Sequence, residues 1–385
     1  MGASTWVVAL SLVTEWFILR AIASGTTAWT HKYGKRADMA FSGITTFAHM
    51  PNTACLIDPL PFDIGIIGFP FDTAVSYRPG ARFGPKAIRD GSRRLRTSNG
   101  WSMHWKVNPY DGTVALSDCG DVPITPYDNS LALEEMEIAY DTLLSRKVAH
   151  EGWSAPLSLD GSRHPFILTL GGDHTIASVY PILRSLHRRH GPITVLHFDS
   201  HIDTWPPSRI PSSSSSISQI THGTFFWKAA TEGLIANNSV HAGIRSKFEG
   251  PYDLEHDKIV GFDLIATDEM DEVGALAIIE RIRHRIGHDP LYVSIDIDVL
   301  DPAFAPGTGT PEPGGWTSRE MKRLLRGLEG LNIVGADIVE VSPAYDSGDI
   351  TGIAAADLAH ELLSLVIVGK GARNVAGQRR WHSEL

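Results

Sequence analysis

The sequence predicts an α/β protein: a parallel sheet covered on both faces by helices. Three observations carry this. Short runs dominated by apolar residues on both faces recur along the chain, such as Ile64-Gly65-Ile66-Ile67-Gly68 and Phe166-Ile167-Leu168-Thr169-Leu170. They alternate with segments of helical periodicity, the pattern of crossover-connected strands buried on both sides. Metal-competent residues then begin abruptly where such runs end, as in HFDSHIDTW at 197–205. That is the edge at which open α/β sheets bind ligands.

Taken in order, residues 1–23 are expected to be a signal peptide. WVVALSLV at 6–13 supplies the apolar region and Ala21-Ile22-Ala23 a small-residue cleavage pattern. The stretch before it carries no Lys or Arg, and Glu15 and Arg20 interrupt the run, which also argues against a membrane span. Residues 24–58 read as a leader in which Lys35-Arg36 offers a dibasic processing site. This predicts the secretory pathway or an extracellular location, with the cytoplasm as the alternative. One domain is expected over 59–370 and a tail over 371–385, with no further stretch long and apolar enough to span a membrane. Strands are expected at 64–68, 166–170, 193–198, 240–243, 259–262, 291–297 and 333–341. Helices are expected at about 175–190, 271–286, 318–328 and 352–368. The serine run at 212–216 reads as a flexible rim loop.

The formal net charge of −10 gives a nucleic-acid role no electrostatic support and is compatible with a small, cationic partner. Two cysteines, Cys55 and Cys119, are too few for a disulfide scaffold or a zinc-thiolate site; they are either one disulfide in an oxidising compartment or two ordinary thiols. Asn237-Asn238-Ser239 is the one glycosylation sequon, relevant only to a secreted chain.

Three segments share a design: Gly171-Gly172-Asp173-His174, Asp199-Ser200-His201-Ile202-Asp203 and Asp296-Ile297-Asp298, each at the end of an expected strand. In a strand every second side chain points the same way, so Asp199, His201 and Asp203 converge, as do Asp296 and Asp298. The candidate metal set is therefore His174, Asp199, His201, Asp203, Asp296 and Asp298, with hard oxygens, imidazole and no sulfur. This suits Mn2+. Four carboxylates in one pocket require neutralising cations, and two ions about 3.5–4 Å apart, bridged by a carboxylate, would balance them.

GGDH at 171–174, HFDSHIDT at 197–204 and SIDIDVLDPAFAPGTGTPEPGG at 294–315 resemble the signatures of the ureohydrolases, the arginases and agmatinases. The likeness spans roughly residues 60–365. It implies a three-layer α/β/α arginase-like fold with a central, mainly parallel sheet and a binuclear manganese centre, two Mn2+ per subunit. It further implies that His174 and Asp203 serve one ion, His201 and Asp298 the other, and that Asp199 and Asp296 bridge them. Arginases usually place an Asn shortly after the metal-binding Asp; here Thr204-Trp205-Pro206-Pro207 follows Asp203 instead. FPFDTAVSYRPGARFGPKAIR at 69–89, GTGTPE at 307–312 and DIVEVSPAYD at 337–346 resemble the agmatinase branch, and the whole is most similar to fungal agmatinase-like proteins.

The implied reaction cleaves a guanidinium group to urea and an amine. Hydroxide held between the metals attacks the guanidinium carbon, with Asp203 hydrogen-bonding the nucleophile. His222 matches the family's proton shuttle for the leaving amine, a task that suits an imidazole. Glu340, in an otherwise apolar strand, needs a buried partner, and a substrate guanidinium or a structural Arg would serve. His222 and Glu340 are thus the substrate-contacting candidates. In RPGARFG at 78–84, Arg78 and Arg82 either shape the entrance or are structural. Asp118 and Asp121 are assigned to turns. Trp205, Phe225, Phe226, Trp227 and Trp316 line the pocket or, the safer reading, fill the core. Agmatine is the leading substrate and 4-guanidinobutyrate the runner-up. A deacetylase on the same fold is disfavoured by the paired motifs, and a catalytically silent relative, acting as a binding subunit, would have lost a ligand. The resemblance implies a homo-oligomer, trimer or hexamer, with no nucleic-acid partner and no membrane association after signal removal.

Overall fold

The computed structural model describes residues 32–33, 38–150, 153–174, 179–209 and 219–369. The signal segment, residues 24–31 and 34–37 of the leader with the dibasic pair, the serine run, the expected helix start at Thr175 and the tail lie outside the described residues. The chain divides into two compact units, Met1–Gly43 and Ile44–Leu385. The second begins before residue 59, because Phe47 and Ala48 are buried and Cys55 is disulfide-bonded to Cys119.

In chain order the second unit runs β1 (Ile64–Phe69), α1 (Gly84–Gly91), β2 (Leu116–Asp121), α2 (Asn129–Leu144), β3 (Phe166–Gly171), α3 (Val179–His190), β4 (Thr194–Phe198), α4 (Phe225–Thr231), β5 (Ser239–Ile244), α5 (Pro251–Val260), β6 (Phe262–Ala266), α6 (Glu269–Glu272), α7 (Gly274–Ile286), β7 (Leu291–Asp296), α8 (Ser318–Arg326), β8 (Ile333–Val339) and α9 (Ile350–Gly369). The eight strands form one sheet in the order β2-β1-β3-β8-β7-β4-β5-β6, parallel throughout.

Strand residues alternate between two apolar layers, as the period of two requires. Ile64, Ile66, Leu168, Leu196 and Phe198 face one layer with Ile88 of α1, Ile282 of α7, Leu324 of α8 and Leu362 of α9. Ile67, Phe69, Ile167 and Val195 face the other with Met136 of α2, Leu183 of α3 and Phe225 of α4. The fold is the expected three-layer α/β/α sandwich.

Three expectations need correction. The strand expected at 259–262 is instead the end of α5, which stops at Gly261 in a left-handed conformation (φ 113°), and β6 begins at Phe262. Asp118 and Asp121 are not turn residues but lie in β2. Asp118 is buried and takes two hydrogen bonds of 2.9 Å from Arg89 of α1, so a polar sequence reads as a loop although an ion pair holds it as a strand. Finally, α9 is long and apolar enough to cross a membrane, yet 78% of its most apolar window is buried. Its Asp357 and Glu361 pair with Lys322 and Arg326 of α8, which makes it the core helix of this sandwich.

Candidate active site

Four neighbouring strands, β3, β8, β7 and β4, deliver the polar clusters to one edge. Their approach is close: a Cβ on Gly172 would meet the Phe71 carbonyl oxygen at 1.8 Å, so the turn that presents His174 requires glycine. Asp203 and Glu340 both adopt left-handed backbone, φ 53° and 60°. Such conformations are costly for residues with a Cβ and concentrate at functional sites.

All six residues of the expected metal set converge. His174 Nδ1 lies 3.0 Å from Asp199 Oδ2, 3.5 Å from Asp203 Oδ2 and 3.3 Å from Asp296 Oδ2. His201 Nδ1 lies 3.1 Å from Asp199 Oδ1 and 3.2 Å from Asp298 Oδ2. Asp199 therefore offers one oxygen to each half of the cluster. The His174 ring is oriented from behind. Its Nε2 is 2.8 Å from Ser294 Oγ, and that hydroxyl donates to Asp337 at 2.7 Å. With its hydroxyl hydrogen committed to Asp337, Ser294 accepts Nε2–H from His174, which leaves the Nδ1 lone pair facing the carboxylates, the tautomer a metal ligand needs. Among the described residues, two groups of donor atoms are compact enough to hold an ion: His174, His197, Asp199 and Asp203, and Asp199, His201 and Asp298.

The electrostatics fit cations at these positions. Burial and the charge of Asp199 push Asp203 up to about 8. Burial and Asp298 hold Asp296 well above the carboxylate range. Burial opposes ionisation of Asp199, but His197, His174 and His201 outweigh it and hold Asp199 well below that range. Burial likewise opposes the His174 and His201 cations, and their carboxylate neighbours override it, holding both well above the usual imidazole value. Crowded carboxylates that retain protons are the donor set a divalent cation displaces protons from.

Beside the cluster, His222 is clamped from two sides. Its Nδ1 is 3.5 Å from Glu340 Oε1, while its Nε2 accepts from the Ser76 backbone N–H at 3.0 Å and sits 2.6 Å from Ser76 Oγ. Neutral His222 therefore carries its proton on Nδ1, facing Glu340. Burial lowers the affinity of His222 for a second proton, but Glu340 outweighs this and raises it above the usual value. Glu340 follows β8 rather than lying in it, is buried, and accepts the His174 backbone N–H at 2.8 Å. Among the described residues, no Arg pairs with it.

A cavity of about 350 Å³ opens over these groups. Ala74, Val75, Ser76, Trp205, Thr221, Gly223 and Thr310 wall it; His201, Asp203, His222 and Asp296 form its floor. Of the aromatic residues considered, Trp205 lines this cavity, while Phe225, Phe226 and Trp316 are core. Arg82 is structural, paired with buried Asp72, and Arg78 stacks on Tyr77 and Tyr345 at 5.0 and 5.1 Å. A larger cavity of about 510 Å³, lined by Trp101, Phe304 and His360, contains none of the cluster.

Sequence reasoning missed Ser76 and His197. His197 continues the two-residue alternation of Asp199, His201 and Asp203 one step back into β4, a signal that was present. A lone loop serine such as Ser76 has no such signature.

The fold and this donor set define a class. A family model described as "Arginase family" matches residues 62–364, and the chain belongs to that family. Within it the chain is an agmatinase-like ureohydrolase. It is 50% identical over 334 residues to "Putative agmatinase 1" of Schizosaccharomyces pombe, covering 86% of this chain and 84% of that one. It is 38% identical to a guanidinopropionase of Pseudomonas aeruginosa, covering 85% and 92%. Among solved structures, proclavaminate amidino hydrolase from Streptomyces clavuligerus superposes with a TM-score of 0.73 at 36% identity, over 86% of this chain and 99% of that one.

Proposed function

We propose that this chain hydrolyses agmatine to putrescine and urea, using two Mn2+ ions held by His174, Asp199, His201, Asp203, Asp296 and Asp298. The observation that carries the choice of substrate is the charge of the cavity. Its floor is acidic and, among the described residues, no Lys or Arg lines it. A substrate whose tail ends in an ammonium suits these walls; a carboxylate tail would find no cationic partner. The named relatives, agmatinase and guanidinopropionase, support the guanidinium end of the assignment.

When bound, the two ions supply Lewis acidity and water acidified to near neutrality. The chain supplies the rest. Glu340 Oε1 and Oε2 accept N–H groups of the guanidinium and set its plane. Asp203 accepts a hydrogen bond from the attacking oxygen. His222, favoured as the imidazolium by Glu340, gives one ring proton to the departing amine and returns to the neutral tautomer that the Ser76 N–H holds.

The test is urea release from agmatine, 4-guanidinobutyrate, 3-guanidinopropionate and arginine, with Asp296→Ala alongside. Turnover of agmatine, lost in the variant, is expected. Preference for a guanidino acid would overturn the tail assignment, and silence on all four without bound metal would favour a binding subunit. We further propose a homo-oligomer, trimer or hexamer, to be checked by light scattering. We propose passage through the secretory pathway, supported by the Cys55–Cys119 bond; a mobility shift on enzymatic deglycosylation, absent in Asn237→Gln, tests it.

A further inference from the structure

We propose that His197, His241 and Asp257 form a positioning chain that holds the shared carboxylate Asp199 from behind and sets the metal affinity of the buried half of the cluster. The inference rests on the metal-dependent reading above.

The chain is built into the sheet register: His197 of β4 is the direct neighbour of His241 in β5. Their Nδ1 atoms are 2.8 Å apart. His241 Nε2 is 3.1 Å from Asp257 Oδ1 on α5, and that same oxygen accepts the Thr204 hydroxyl at 2.7 Å. At the other end His197 Nε2 lies 2.9 Å from Asp199 Oδ2. The approach is off the hydrogen-bond axis, so Nε2 is a fully buried nitrogen without a satisfied partner, aimed at the cluster. None of these side chains reaches solvent: His197, Asp199 and His241 are 0% exposed and Asp257 is 1%.

Aromatic rings fix the path. His241 stacks on Phe262 with centroids 3.8 Å apart and planes 6° apart. Phe226 sets its edge against His197 at 4.8 Å. Both imidazoles are fully buried against these rings. The contacts are continuous from the helix to the cluster: Asp257 to His241 at 3.1 Å, His241 to His197 at 2.8 Å and His197 to Asp199 at 2.9 Å. A buried carboxylate on α5 then has a purpose that packing alone does not give it, since a lone buried charge is strongly destabilising. Outer partners of this kind orient metal ligands, and their loss typically lowers affinity about 10–100-fold.

The experiment titrates Mn2+ into the full chain, reading free Mn2+ by its EPR signal and the spin-coupled pair in the bound state. The variants are Asp257→Asn, His241→Phe and, as a control on the same helix, Asp253→Asn. Asp253 pairs with Arg209 and is outside the chain. The expected result is about a 10–100-fold weaker first Mn2+ site in Asp257→Asn and His241→Phe and a perturbed coupled signal, with Asp257→Asn keeping the folded far-UV spectrum. Asp253→Asn keeps wild-type affinity. Affinities within twofold of wild type in both chain variants would overturn the proposal while the metal reading stands. A wild-type protein that binds no Mn2+ removes both. Equal loss in Asp253→Asn would reduce the chain to helix packing and overturn it.

Discussion

The two halves of the cluster share Asp199 but are built differently. The half around His174 is the more enclosed: His174 is 1% exposed, Asp199 0% and Asp203, its one member at the cavity, 6%, and a Ser294–Asp337 pair braces it from behind. The half around His201 opens to the cavity, with 18% of the His201 side chain exposed, and its bracing is local, from Ser200 to Asp298 at 2.7 Å. Ligands held rigidly in a dry site bind a cation more tightly than ligands facing water. The more enclosed half is therefore expected to retain its ion, and the open half to exchange.

The largest effect should come from the residue that joins them. Asp199→Ala removes one oxygen from each half, so urea release is expected to fall by about a thousandfold or more, with Mn2+ content below one per chain by elemental analysis. Retention of two ions would show that Asp199 is not shared. Next, His201→Ala should lose the exchangeable ion and keep the other, whereas His174→Ala should lose both under dialysis; equal losses would erase the distinction between the halves.

Ser76→Ala acts on neither ion. It removes one of two contacts to His222 Nε2 and leaves the backbone N–H, so kcat should fall about tenfold at most, with Mn2+ content unchanged and Ser76→Thr restoring most of the rate.

The pH dependence of stability sharpens the contrast further. In metal-free protein, the folded-state values of Asp203, Asp296, His174 and His201 are raised. Each such group binds protons more tightly folded than unfolded. Its stabilisation is present below the unfolded value and is lost as pH rises through the folded one, which for Asp203 is about 8. Asp199, held low, works in the opposite sense, and its contribution is lost toward acid. The melting temperature of the metal-free protein should therefore fall between pH 5 and about 8, and Mn2+ should flatten the fall. A metal-free protein whose stability rises over that range would contradict the crowded-carboxylate account.

The smallest effect on the site should come from the edge strand β2. Cys55→Ser with Cys119→Ser opens a loop of 64 residues' separation, worth about 4 kcal/mol by chain entropy. Melting temperature should drop by about 5–10 °C, with both Mn2+ affinities unchanged. A loss of metal would mean that the two regions are coupled.

Most of the fold was legible because a strand buried on both faces leaves a run of apolar residues, and β1, β3, β4, β7 and β8 all do. The six clustered candidate ligands were legible because each motif follows an apolar strand run, although Asp199, His201 and Asp203 lie beyond β4 and Asp298 in a short 3-10 turn after β7 rather than in alternating strand. β2 was not, since an edge strand stabilised by the Arg89–Asp118 pair reads as polar loop. β6 was misplaced because Ile259 and Val260 are the apolar end of α5. His241 and Asp257 were invisible for another reason. Their role depends on which strand lies beside β4, and one chain's spacing does not encode its neighbours.

The order of the strands carries a temporal consequence. β3 lies beside β8, pairing Leu168 with Ala336, and β7 lies beside β4, pairing Leu196 with Val293. The edge that gathers the ligands therefore exists only after segments from distant parts of the chain have docked, and such long-range pairings form slowly. On the proposed metal-dependent reading, an ion has no assembled site to enter until the middle of the sheet is closed. Metal uptake during refolding should lag the gain of helical signal and coincide with completion of the native state, which makes the ion a clock for the last step of folding.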